Sequence, residues 1–122
     1  MKKVLIVEDD KDFLLLLRQS FNVKDLDVFY AVDGEEGLET AKKEKPDLML
    51  IDILLPKMNG IDMAKKIKEL GITTQMIFLT NLRDPQHISE VMSIAVGADY
   101  IFKSDMHIDA IIERVKNKLG II

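Results

Sequence analysis

Four short apolar runs in this chain each stop on a polar residue. Val4-Leu5-Ile6-Val7 stops on Glu8-Asp9-Asp10, Leu48-Met49-Leu50-Ile51 on Asp52, Met76-Ile77-Phe78-Leu79 on Thr80, and Tyr100-Ile101-Phe102 on Lys103. Runs this short, rich in β-branched and aromatic residues, read as buried strands. A further strand over about 27–32 alternates Val28 and Tyr30 with Phe29 and Ala31. The expected strands are therefore 3–8, 27–32, 47–51, 75–80 and 99–102.

Helical spacing fills the intervals. The first helix carries Phe13, Leu14, Leu17 and Phe21 on one face. The second opens at Asp33 with Glu36 in capping-box position, carries Leu38 and Ala41, and ends near Glu44 before Lys45-Pro46. After a turn over 56–60, the third packs Met63, Ala64, Ile67 and Leu70 and is ended by Gly71. Asp84-Pro85 starts the fourth, which presents Ile88, Val91, Met92 and Ala95 and stops at Gly97. Asp105 is the expected cap of the last, whose stripe is Ile108, Ile112, Val115 and Leu119 before Gly120. Ile121-Ile122 is an apolar tail with no assigned role.

This alternation predicts an α/β fold, (βα)5, with a parallel sheet. Five strands are too few for an eight-stranded barrel, which leaves a doubly wound open sheet with right-handed crossovers. Ligands of such sheets bind beyond the carboxyl ends of the strands. Glu8, Asp9, Asp52, Thr80 and Lys103 fall at those ends.

A length of 122 residues predicts one domain, 1–122. The net charge of −4 disfavours direct nucleic-acid binding, which needs a basic surface. Without cysteine there is no disulfide framework and no thiolate metal site. Met1-Lys2-Lys3 precedes only four apolar residues, too few for a secretory core, and no run approaches the ~18 of a membrane span. The expectation is a soluble, cytoplasmic chain without a membrane partner.

Each polar strand end has a plain reading taken alone. Glu8-Asp9-Asp10 suits a solvated turn with a helix cap, Thr80 is a good strand residue, and Lys103 suits a surface. Asp52 resists this treatment, because its apolar neighbours predict burial and a buried carboxylate needs partners. Gathered together, two carboxylates ~4 Å apart repel by about 4 kcal/mol at an effective dielectric of ~20. Oxygen ligands alone favour a hard cation, and Mg2+ suits one or two carboxylates plus a phosphate. With the charge relieved, a carboxylate can act as nucleophile and form an aspartyl phosphate. Thr80 and Lys103 supply a hydrogen bond and a point charge for its phosphoryl oxygens. His87 and His107, in the first turns of the last two helices, read as exposed polar positions, and the seven Met residues mostly as core.

Val4–Asp10, Leu50-Ile51-Asp52 followed by Pro56 and Asn59-Gly60, Thr80, and Gly97-Ala98-Asp99-Tyr100-Ile101-Phe102-Lys103 together resemble the receiver domain of two-component response regulators, across essentially the whole chain. The resemblance, rather than the spacing, implies the flavodoxin-like strand order 2-1-3-4-5. It implies Asp52 as phosphoacceptor, Mg2+ held by Glu8, Asp9, Asp52 and the backbone carbonyl of Leu54, Thr80 and Lys103 on the phosphoryl group, and Tyr100 as the switch aromatic. It further implies a phosphohistidine donor on a sensor histidine kinase or phosphotransfer protein. The implied output is a protein effector met by the helix 4–strand 5–helix 5 face, with phosphorylation-dependent homodimerisation as a further mode. Such a chain is a stand-alone regulatory phosphoacceptor rather than an enzyme. The alternatives are a phosphorylation-independent interaction module of the same fold and a piece of a longer transcriptional regulator.

Four positions depart from the family pattern. Ser104 follows the lysine where proline is usual, so the Lys103–Ser104 bond is either trans with an altered loop or a non-proline cis bond costing ~3 kcal/mol. Asn81 stands where a small residue is usual and is expected to crowd the phosphoryl pocket. Leu54 and Leu82 replace groups that often orient the attacking water, which predicts slow decay of the phosphorylated form. Ile94 and Ile111, off the expected helix stripes, are candidate contact residues. Two rivals fare worse. A flavin domain of this topology needs a Ser/Thr/Gly-rich loop where Glu8-Asp9-Asp10 stands, and an Asp-nucleophile phosphotransferase needs an acid/base where Leu54 stands.

Overall fold

The computed structural model describes residues 1–24 and 26–121. It contains β1 (Lys2–Val7), α1 (Lys11–Ser20), β2 (Leu26–Ala31), α2 (Gly34–Glu44), β3 (Leu48–Ile51), α3 (Gly60–Glu69), β4 (Gln75–Thr80), α4 (Pro85–Ile94), β5 (Asp99–Phe102) and α5 (Ile108–Leu119). All strand pairs are parallel, in the order β2-β1-β3-β4-β5. The doubly wound open sheet is thus observed, with strand ends within a residue of the expected ones.

Side-chain alternation divides the core in two. Val4, Ile6, Leu48, Leu50, Ile77, Leu79 and Ile101 face the layer of α1 and α5, including Leu14, Leu17, Phe21, Ile112, Val115 and Leu119. Leu5, Val7, Met49, Ile51, Met76 and Phe78 face α2, α3 and α4 through Leu38, Ala41, Met63, Ala64, Ile67 and Val91. The three central strands are covered on both faces, which is why they read as continuous apolar runs instead of alternating ones. Strand β2, at the edge, keeps Val28, Phe29 and Tyr30 only partly buried.

The caps follow local chemistry. Asp10, Asp33, Asn59 and Asp84 each accept a backbone N–H in the first turn of the helix they precede. The expected cap at Asp105 is not formed. Residues Lys103–Asp105 wind into a short 3-10 turn, the Asp105 carboxylate is drawn to Arg83, and His107 becomes the N-cap without a side-chain bond. Three helix-face expectations also change. Leu70 and Met92 are exposed, Leu70 because it is the cap residue beyond α3 and Met92 because α4 turns Ile88, Val91 and Ile94 inward. Ile111 is fully buried, one turn along from Ile108 on a stripe that continues through Ile112 and Val115, so it offers no surface contact. Ile121 packs partly buried against the α1–α5 layer, and Ile122 lies outside the described residues.

Gly60 brings α3 close to the end of β3. A Cβ there would lie 2.2 Å from the Asp52 carbonyl oxygen and 2.8 Å from Ile51 Cγ2. Gly71, by contrast, has φ +72° with open space around it. Gly60→Ala is expected to lower the unfolding free energy by about 1–3 kcal/mol through overpacking. Gly71→Ala is expected to cost roughly 1–2 kcal/mol, from left-handed backbone strain alone. Urea denaturation reads both, and only Gly60→Ala should also perturb the amide signals around Asp52.

Candidate functional site

Strands β1 and β3 are neighbours at the centre of the sheet, with Val7 opposite Ile51. The next residues, Glu8 and Asp52, therefore leave the sheet side by side. The ladder continues past the strand ends: Asp52 N–H donates to the Val7 carbonyl and Glu8 N–H to the Ala31 carbonyl, both at 3.0 Å. Backbone position is thus fixed by sheet hydrogen bonds at the two residues whose charges most oppose each other.

Ligand oxygens of Glu8, Asp9 and Asp52 all lie within 4.8 Å of one another. Glu8 and Asp52 are buried and Asp9 is exposed, so the cluster opens to solvent on the Asp9 side. Local N–H groups share the load. Asp10 N–H donates to Glu8 Oε2 at 3.0 Å and Leu54 N–H to Asp52 Oδ1 at 3.2 Å.

Lys103 comes from beyond β5, two strands from β3. Its ammonium lies 2.9 Å from Asp52 Oδ2 and also contacts Glu8 Oε1, with 14% of the side chain exposed. The Phe13 ring centroid is 4.8 Å away, so one side of the lysine is covered by an aromatic face. Lys103 pairs with two of the three clustered carboxylates, Glu8 and Asp52. Burial pushes the Glu8 carboxyl above its usual range, against the opposing pull of Lys103. Burial also acts to lower Lys103, but hydrogen bonds to Glu8 and Asp52 outweigh it and hold the ammonium above its usual value. Both shifts favour keeping a proton. The site is short of positive charge.

Thr80 ends β4, fully buried, with its Oγ1 accepting from Leu82 N–H at 3.4 Å. Among the described residues, its own hydroxyl hydrogen has no acceptor. The register Ile51↔Phe78 sets Thr80 two residues beyond the partner of Ile51, at the same edge as Asp52. Tyr100 is half-buried on the α4 side and donates to the Leu82 carbonyl at 2.6 Å. Burial raises its phenol, helped by the charges of Asp52 and Asp84. Leu54 is 60% exposed. The Lys103–Ser104 bond is trans.

The strand-end residues thus meet where the sequence puts them. Sequence reasoning missed Arg83, which reaches Ser104 Oγ and Asp105 Oδ1 at 3.0 and 2.9 Å, and it took Phe13 for core alone. Arg83 gave a faint signal as the lone basic residue between Thr80 and Pro85. Asn81 and Ser104, read as separate departures, bond to each other: Ser104 N–H donates to Asn81 Oδ1 at 3.0 Å.

A sequence model described as the response regulator receiver domain matches residues 4–116. Sporulation initiation phosphotransferase F of Bacillus subtilis (strain 168) is 34% identical over 97% of this chain and 94% of its own length. The alkaline phosphatase synthesis transcriptional regulatory protein PhoP of the same organism is 35% identical over 80% of this chain but 40% of its own length. The chain spans about half the length of most curated relatives it matches, between 40% and 53% for the transcriptional regulators. Among solved structures, the CheX-CheY-BeF3-Mg complex of Borrelia burgdorferi matches with a TM-score of 0.83 at 27% identity, over 97% of this chain and 89% of that one. With the fold, the acidic cluster and these likenesses in agreement, the chain belongs to the receiver domains of two-component response regulators.

Proposed function

We propose that the chain, acting as one receiver unit over residues 1–122, accepts a phosphoryl group on Asp52 in a Mg2+-dependent phosphorelay. The observation that carries this reading is the crowding of charge at the carboxyl edge: three carboxylates lie within 4.8 Å of one another, and Lys103 pairs with two of them, Glu8 and Asp52. An all-oxygen donor set of this kind fits a hard divalent ion. Glu8, Asp9, Asp52 and the Leu54 backbone carbonyl would hold Mg2+. When bound, the ion supplies charge neutralisation between the Asp52 carboxylate and the oxygens of the incoming phosphoryl group.

The donor is a phosphohistidine of a sensor histidine kinase or a phosphotransfer protein. An Asp52 carboxylate oxygen attacks phosphorus. The P–N bond breaks with its electron pair on the imidazole, and an acyl phosphate forms. Lys103, already 2.9 Å from Asp52, is the fixed counter-charge for the new group. Support comes also from the Borrelia burgdorferi complex, in which a CheY protein is found with BeF3 and Mg.

The product carries about −1.5 to −2 charge at neutral pH. The Thr80 hydroxyl, whose oxygen accepts from Leu82 N–H, would donate its hydrogen to it. Two charge-assisted hydrogen bonds, about 1.5–3 kcal/mol each, approach the ~5.5 kcal/mol that carries a two-state switch from 1:99 to 99:1. Tyr100 then gives up the Leu82 carbonyl and turns inward, which reshapes the α4–β5–α5 face. That face meets a protein effector, with phosphorylation-dependent homodimerisation as a further mode. Ile94 is turned inward and packs against the core on the α2–α4 side, so it is not a contact residue of that face. The role is regulatory and cytoplasmic, and its chemistry is limited to self-phosphorylation and autodephosphorylation. Among the described residues, no helix is long and apolar enough to cross a membrane.

Acetyl phosphate with Mg2+ is expected to add one phosphoryl group to the wild type by mass spectrometry. Asp52→Ala or EDTA should abolish the label, and labelling that survives Asp52→Ala would refute the assignment. Failure of the wild type to label would favour the phosphorylation-independent module.

Leu54, exposed beside Asp52, and Leu82 offer no polar group to orient water. The phosphorylated form is therefore expected to persist for minutes or longer with Mg2+ present, and Leu54→Asn to shorten that time. A wild-type lifetime of seconds, followed by loss of label, would contradict this.

The raised Glu8 carboxyl sets a pH dependence. The folded state keeps a proton that the unfolded state sheds above the ordinary value of 4.5. The group's stabilising contribution is full below that value and is lost as pH rises through the raised folded value. Glu8→Gln removes this loss. In EDTA, the melting temperature of Glu8→Gln minus that of wild type should therefore increase as pH rises above the ordinary value of 4.5 through the raised folded value. A flat difference would show that burial does not govern Glu8.

A further inference from the structure

We infer that Asn81 is a positioning residue for Lys103, acting through the Ser104 amide, an inference that rests on the phosphoacceptor reading of Asp52. Backbone pairing of β4 with β5 ends at Thr80↔Phe102. One residue further on, the Asn81 side-chain carbonyl accepts the Ser104 N–H at 3.0 Å. It serves as an added rung one residue beyond both Thr80 and Lys103, the two residues that the phosphoacceptor reading directs to one phosphoryl group.

The rung is braced from outside. Arg83 Nη2 donates to Ser104 Oγ at 3.0 Å and to Asp105 Oδ1 at 2.9 Å, and its guanidinium lies 4.1 Å from the Phe102 ring centroid. Tyr100 holds the Leu82 carbonyl at 2.6 Å. The β4–α4 loop and the 3-10 turn of Lys103–Asp105 are therefore joined at several points. Lys103 is the first residue of that turn, and its long side chain magnifies any rotation of the turn at the ammonium. A trans Lys103–Ser104 bond alone does not fix that rotation. The acceptor on Asn81 does, so the residue works as a tether and not as an obstruction.

The expected consequence is specific to Lys103. Acetyl phosphate transfers its phosphoryl group to an Asp52 carboxylate oxygen while acetate leaves with the bonding pair. With Mg2+, Asn81→Ala should slow this labelling by about three- to tenfold, the effect of losing one hydrogen bond. In a Lys103→Ala background the same change should leave the rate where Lys103→Ala put it. Hydrogen exchange at the Ser104 amide should speed up in Asn81→Ala. Unchanged labelling in Asn81→Ala, equal slowing in both backgrounds, or unchanged Ser104 exchange would each overturn the inference while leaving Asp52 as acceptor. A wild type that takes no label would overturn the acceptor reading, and this one with it.

Discussion

The arrangement depends on the crowding of negative charge at the top of two adjacent central strands. Glu8 and Asp52 cannot move apart, because each is tied by its own N–H to the neighbouring strand. Two carboxylates ~4 Å apart cost about 4 kcal/mol at an effective dielectric of ~20. Lys103 offsets part of this and leaves the remainder open. A fully neutralised pair would bind no further cation, and an unaccompanied one would be poorly tolerated in burial. The single lysine keeps the site between these limits.

Strand alternation explains why Lys103 is the residue that reaches the cluster. Ile6, Leu50 and Ile101 all face the α1–α5 layer. Two positions on, Glu8, Asp52 and Lys103 continue that parity, so all three emerge on one side. Thr80 and Tyr100 share parity with Phe78, on the opposite side, towards α4. The edge is thus divided into a charge-holding half and a hydroxyl-bearing half, and a phosphoryl group on Asp52 would stand between them.

Legibility followed burial. Strands covered on both faces announced themselves as apolar runs, and their polar terminators marked the site without any coordinates. The strand order was not legible in spacing and came through family resemblance. Errors fell where a local signal had two possible partners. Asp105 looked like a helix cap, but Arg83 from another loop captured its carboxylate. Leu70 and Met92 kept helical spacing at a helix end and on a partly exposed helix, where apolar residues need not be covered. Ile111 was taken for surface because the stripe on α5 was drawn too narrow. The Asn81–Ser104 pair was visible only as two oddities, since nothing in a sequence says that residues 23 apart share a hydrogen bond.

Asp9 is the one exposed member of the acidic trio. A divalent ion held by the trio would therefore meet solvent at the rim, with Glu8 and Asp52 buried beneath it. On the phosphoacceptor reading, loss of such an ion would silence the domain while the hydrogen-bonded sheet that places Glu8 and Asp52 remained.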